Sequence, residues 1–80
     1  MVEVRYFAGA ADAVGCTRES FDLPEGSDLG TLQAAVLERH GTDVAAILRV
    51  SAFLVGDELT RDPTVTFGDE VDVLPPFAGG

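Results

Sequence analysis

Apolar and polar residues alternate along Val2-Glu3-Val4-Arg5-Tyr6-Phe7, putting Val2, Val4 and Tyr6 on one face and Glu3, Arg5 and Phe7 on the other. A period of two predicts a half-buried strand with Phe7 on its wetter face. The small-residue stretch Ala8 to Gly15 is punctuated by Gly9 and Gly15 and holds at most one helical turn, so it reads as a loop between strands. Alternation resumes over Thr17 to Leu23, with Phe21 and Leu23 inward and Arg18, Ser20 and Asp22 outward, and Pro24-Glu25-Gly26 closes it as a turn. These two segments make an antiparallel pair.

The period then changes. Ser27 or Asp28 can cap a helix whose buried stripe is Leu29, Leu32, Val36 and Leu37, and Gly41 supplies its stop. Gly30 weakens that helix by about 1 kcal/mol relative to alanine, which packing of the leucine face must offset. Asp43 to Leu48 adds a short second helical segment. Val50 to Val55 is strand-like, Gly56-Asp57-Glu58 turns the chain into a short segment around Leu59, and Asp62-Pro63 breaks it. Gly68-Asp69 reads as a hairpin-type turn before a closing strand, Glu70 to Leu74, with Val71 and Val73 inward and Asp72 and Leu74 outward. One main helix and four to five strands fit best as a single mixed sheet with the helix across one face, an α+β roll. With first and last strands parallel and adjacent, this is the β-grasp arrangement of ubiquitin.

Composition narrows the function. Eighty residues make one domain with one modest core. We divide the chain into a β-grasp body over 1–75 and a flexible Gly-Gly tail over 76–80. A single cysteine, Cys16, and a single histidine, His40, leave no means to build a disulfide or a cysteine/histidine zinc cluster, so no metal site is expected. Cys16 reads as a structural thiol, and His40, in the last helical turn, as a partner of the helix dipole. Fourteen acidic against five basic residues give a net charge of −9, which argues against nucleic acid and anionic membranes and for an electropositive protein partner. All five basic residues are arginine, so no side-chain amine is offered for Schiff-base chemistry or isopeptide attachment. No apolar run is long enough to cross a bilayer and Met1 leads directly into strand sequence, so a cytoplasmic location is expected.

The last six residues, Pro75-Pro76-Phe77-Ala78-Gly79-Gly80, carry the chemistry. Two successive prolines lack the N–H a ladder needs and hold φ near the polyproline value, so the closing strand stops there and a stiff stalk begins. Beyond Phe77 the side chains shrink to a methyl and then to hydrogen, so the end fits a channel too narrow for other residues. Four residues past Pro76 reach roughly 13 Å when extended, enough to enter a partner's active site.

Val4-Arg5-Tyr6-Phe7-Ala8, Val14-Gly15, Phe67-Gly68-Asp69-Glu70-Val71 and the terminal Pro75-Pro76-Phe77-Ala78-Gly79-Gly80 together resemble the small subunit of molybdopterin synthase, within the MoaD/ThiS sulfur-carrier family. The resemblance covers essentially the whole chain. Its Gly-Asp-Glu-Val turn is shared by β-grasp proteins generally, whereas the terminal Pro-Pro-x-x-Gly-Gly is specific. Where the family has a Val-Asn turn after the third strand, this chain has Val55-Gly56-Asp57.

The resemblance implies that Gly80, with Gly79 as its slim neighbour, is adenylated at its carboxylate by an ATP-dependent adenylating enzyme. A sulfurtransferase or cysteine desulfurase then supplies sulfur to make a thiocarboxylate, and the large subunit passes that sulfur to cyclic pyranopterin monophosphate. It further implies no bound cofactor, only glycyl adenylate and thiocarboxylate as covalent states, catalytic groups on the large subunit, and a heterotetramer of two small and two large subunits. Strand alternation leaves Phe7, Leu59 and Leu74 as apolar residues on the outer face, and the resemblance places them, with Phe77, at the docking surface; Asp57, Glu58 and Asp72 are then expected as rim carboxylates that steer association. Two alternatives stand beside this one. A related carrier would serve thiamine, cysteine or tRNA thiolation, although thiazole carriers usually lack the diproline, and a ubiquitin-like interaction module would dock without carrying sulfur.

Overall fold

Nine elements succeed one another in the computed structural model, which describes residues 1–76: β1 (Val2–Tyr6), α1 (Gly9–Val14), β2 (Arg18–Phe21), α2 (Leu29–His40), a 3-10 turn (Gly41–Val44), α3 (Ala45–Val50), β3 (Ala52–Val55), β4 (Glu58–Thr60) and β5 (Glu70–Leu74). The strands form one mixed sheet in the order β2-β1-β5-β3-β4. First and last strands are parallel, with Val4 opposite Val71 and Arg5 opposite Asp72, and every other pairing is antiparallel. The fold is the expected α+β β-grasp roll with five strands. β5 runs between β1 and β3, so Gly68-Asp69 does not turn a hairpin and instead delivers the chain into the middle of the sheet.

The alternation of β1 is realised: Val2, Val4 and Tyr6 are buried while Glu3 and Arg5 are only partly covered. Val71 and Val73 from β5, Phe53 from β3 and Phe21 from β2 join them on the same face, against Leu29, Leu32 and Val36 of α2. Each such side chain contributes about 1.5–3 kcal/mol through the apolar area it takes from water. Asp28 caps α2, its carboxylate accepting from the Thr31 N–H at 2.9 Å, and these bonds lower its pKa. Gly41 ends α2 at φ 78°, a left-handed value that a side chain disfavours. The N–H groups of Leu29 and Gly30 donate to the carbonyls of Val65 and Pro63, which ties the loop before β5 to the start of this helix.

Four further expectations change. Ala8 to Gly15 is not a loop but carries α1, because Ala10 is fully buried and Ala11, Ala13 and Val14 pack on the core, so tertiary contact makes a helix of a segment with weak periodicity. Leu37 lies outside the buried stripe and is exposed, one position past the arc that faces the sheet. Val50 ends α3 and does not begin a strand. β2 is shorter than Thr17 to Leu23, although Leu23 still packs against the core.

Candidate functional site

On the outer side of the sheet, away from the helices, the residues follow from strand parity and register. Arg5 of β1 lies opposite Asp72 of β5, Asp72 opposite Leu54 of β3, and Leu54 opposite Leu59 of β4. Ala52 lies opposite Leu74 in the next row, and Phe7 follows Arg5 two residues along the chain. Phe7 and Leu59 are 42% and 62% exposed, and Leu74, Ala52 and Leu54 are half-buried although none belongs to the core. The fold thus brings Phe7, Leu59 and Leu74 to one face, as expected, and adds Ala52 and Leu54. A cluster of exposed apolar side chains on so acidic a protein is suited to cover by a partner.

The opposite end of the same face is charged. Glu3 and Glu70 are Cα partners across β1 and β5, and Arg18 reaches Glu3 at 3.2 Å. Between the apolar and acidic ends, Arg5 Nε donates to Asp72 Oδ1 at 2.7 Å and Arg5 Nη2 donates to Asp72 Oδ2 at 3.0 Å, a two-pronged pair. These bonds, then the charges of Asp72 and Glu70, raise the Arg5 pKa further above its ordinary value. Asp72 is only 6% exposed, so it is not the rim carboxylate expected from the sequence; Arg5 lies across it. Asp57 and Glu58 are exposed at the β3–β4 turn, as a rim requires.

Phe7 is aimed by an unusual backbone. Its N–H donates to the Val73 carbonyl at 3.2 Å, extending the β1–β5 ladder by one residue. Ala8 then takes φ 50°, the one non-glycine residue with positive φ among those described. A methyl-bearing residue there holds strain of about 1–3 kcal/mol, which the flanking ladder and α1 sustain. Beyond Leu74 the chain leaves the sheet through Pro75, half-buried, and Pro76, exposed. The remaining candidates, Phe77, Gly79 and Gly80, lie outside the described residues.

A second polar cluster sits on the helix side of the sheet. Glu19 of β2 points inward and accepts from the Tyr6 hydroxyl at 2.6 Å, meets His40 Nε2 at 2.6 Å, and receives Arg39 Nη1 at 3.2 Å. Burial pushes the Glu19 pKa up, but the bonds from Tyr6, His40 and Arg39 outweigh it and the net shift is downward. Tyr6 is pushed well above the ordinary phenol range by burial and by its bond to this carboxylate. Arg39 also covers the Phe21 ring at 4.0 Å and donates to the Ser20 carbonyl. His40 therefore has a specific partner beyond the helix dipole, and the cluster fastens the edge strand β2 to the end of α2. Glu19 lies 13 to 21 positions from its partners, and nothing in the local pattern announces the pairing.

Among the described residues no group of three histidine, cysteine or acidic side chains is arranged to hold a metal ion, and every buried side-chain polar atom is paired. No helix among them is long and apolar enough to cross a membrane. Cys16 is half-buried beside the core and makes no metal-holding group there.

Known proteins resemble the chain along its length. The family model described as the ThiS family matches residues 4–80. The molybdopterin synthase sulfur carrier subunit of Chlamydomonas reinhardtii is 27% identical over 82 aligned positions, covering 99% of this chain and 98% of that protein. Among solved structures, SAMP1 from Haloferax volcanii superimposes with a TM-score of 0.79 at 20% identity over 99% of this chain and 98% of that one, a likeness of fold. A chain from the complex of subunits 1 and 2 of the molybdopterin-converting factor of Helicobacter pylori superimposes with a TM-score of 0.67 at 26% identity, covering 99% of this chain and 97% of that one.

Proposed function

This chain belongs to the ThiS family of sulfur carriers, and from that premise we propose that it is the small, sulfur-carrying subunit of a molybdopterin synthase, acting in the cytoplasm. The observation that carries the reading is the adjacency of the apolar outer face to the point where β5 releases Pro75 and Pro76. Leu74 belongs to that face and the diproline follows it directly, so a partner seated on Phe7, Leu59 and Leu74 lies beside the start of the tail. The relative from Chlamydomonas and the two-subunit complex from Helicobacter support a large-subunit partner.

In this reading Gly80 carries the transferred sulfur and the chain supplies no catalytic residue. A carboxylate is a poor acyl donor. ATP and an adenylating enzyme convert it to a mixed anhydride with AMP, a persulfide delivered by a sulfurtransferase or cysteine desulfurase displaces the AMP to give an acyl disulfide, and a thiol reductant cleaves that S–S bond to leave the thiocarboxylate. Gly79 and Gly80 keep side chains clear of the attacked carbon, as near-attack geometry requires. The large subunit, in a heterotetramer with two copies of each chain, passes the sulfur to cyclic pyranopterin monophosphate. Ordering about five tail residues costs about 1–2 kcal/mol each, and Pro75 and Pro76 reduce that cost by restricting the free tail beforehand.

Mass spectrometry tests the proposal. After incubation with ATP, a sulfur source and the adenylating enzyme, the C-terminal peptide should show one oxygen exchanged for sulfur. Deleting Gly80 should abolish transfer while leaving the melting temperature nearly unchanged. Sulfur found only at Cys16 would sink the idea.

A further inference from the structure

Asp72 is buried on a face whose other members are half-buried or exposed, and Arg5 lies across it. The carboxylate belongs to β5, which is flanked on both sides by strands, so its position is fixed by two ladders. The guanidinium fork is laid across it by two bonds and is held there as a planar, directional group. Resting on the proposed function above, we propose that Arg5, positioned by Asp72, is a specificity-determining residue of the docking face, requiring the large subunit to place a carbonyl or carboxylate oxygen against Arg5 Nη1.

Donor arithmetic leads there. A guanidinium has five N–H groups, of which Asp72 takes two. Glu70 approaches Nη2 only to 3.9 Å, too long for a hydrogen bond. Among the described residues Nη1 donates to nothing, and the Arg5 side chain is 39% exposed, so water satisfies that edge in the free protein. Arg5 stands between Asp72 on β5 and Arg18 on β2, Phe7 and Leu74 occupy the next outward positions along β1 and β5, and Leu54 lies on the far side of Asp72. An apolar surface seated on Phe7, Leu74 and Leu54 removes that water, and a cation left with unpaired N–H groups opposes binding strongly. A partner with a matching acceptor avoids that loss and gains a charge-assisted bond to a group already held in place. A partner without one is rejected, although it offers the same apolar contact. The acidic end of the face, Glu3 and Glu70, fixes which way round the partner sits.

The experiment measures association and dissociation rates of the complex with the large subunit for the wild type, the double variant Arg5→Met/Asp72→Leu, Arg5→Lys and Leu59→Arg. Replacing an ion pair by apolar residues of similar bulk is often neutral or stabilising, so the double variant should fold. Arg5→Lys keeps the charge and, without the fork, gives a second route if it does not. We expect affinity to fall at least about tenfold in the double variant and several-fold in Arg5→Lys, with the change in the dissociation rate and the melting temperature unmoved. A folded double variant that binds as tightly as wild type, while Leu59→Arg does not bind, overturns the role of Arg5 and leaves the docking face standing. Unchanged binding by Leu59→Arg removes the docking face itself, and the inference with it. Sedimentation showing that the chain alone dimerises through this face, with dimerisation lost in Leu59→Arg, also overturns it.

Discussion

The two faces of the one sheet are made by alternate residues of the same strands, yet they use apolar side chains for different ends. On the inner face Val4, Tyr6, Val71, Val73 and Phe53 meet Leu29, Leu32 and Val36, and exposure is at or near zero. On the outer face Phe7 and Leu59 stand open beside Leu54, Ala52 and Leu74. Each face also holds one carboxylate tied down by hydrogen bonds, half-buried inside and buried outside. Glu19, inside, is bonded by Tyr6, His40 and Arg39 and fastens a strand to a helix. Asp72, outside, is bonded by Arg5 alone among the described residues and fastens a side chain that looks outward. The inner face keeps the domain folded, and the outer face can be altered at little cost to folding.

The sharpest way to break that comparison is Leu32→Ala, which opens a cavity between helix and sheet. It should cost about 2–5 kcal/mol in chemical denaturation, a large share of the stability of so small a domain. Phe7→Ala and Leu59→Arg should each leave denaturation within about 0.5 kcal/mol of wild type while weakening the proposed complex with a large subunit by about 2 kcal/mol or more, read by calorimetry. Unchanged affinity in both would put the interface on another surface.

Glu19→Gln comes next, at about 1–2 kcal/mol near neutral pH. Because the folded pKa of Glu19 lies below its ordinary value, its stabilisation is present above the ordinary glutamate range and is lost as pH falls through the folded value. The variant should therefore show a shallower acid limb in a stability–pH profile, keeping the slope due to Asp28 and Asp62, whose pKa values are also lowered. An acid limb as steep as wild type would show that Glu19 is not the group titrating. The smallest effect is Ala8→Gly, which relieves the positive φ and should raise stability by about 1 kcal/mol or less, since glycine also loosens the unfolded chain.

Much of this was legible in the residues. Val2, Val4 and Tyr6 at period two, a cap at Ser27 or Asp28, the spacing of Leu29, Leu32 and Val36 and the Pro75-Pro76 stop are local signals, and each specifies its element because a backbone period, a cap or a missing N–H acts within a few residues of itself. Phe7, Leu59 and Leu74 could be assigned to outward positions on the same grounds. What the sequence could not decide is what pairs across distance. Arg5 and Asp72 are 67 positions apart, and only the parallel register of β1 and β5 turns two outward charges into a pair whose carboxylate is buried. Glu19 meets His40 only because α2 ends over β2, and the alanine-rich segment after Phe7 becomes a helix only because Ala10 is enclosed by the core. By itself the sequence determined the strands, the main helix and the faces they offer, since those follow from periodicity. The tertiary structure alone decided which polar groups are satisfied and by whom, because the stability of a buried charge depends on a partner that the chain supplies from elsewhere.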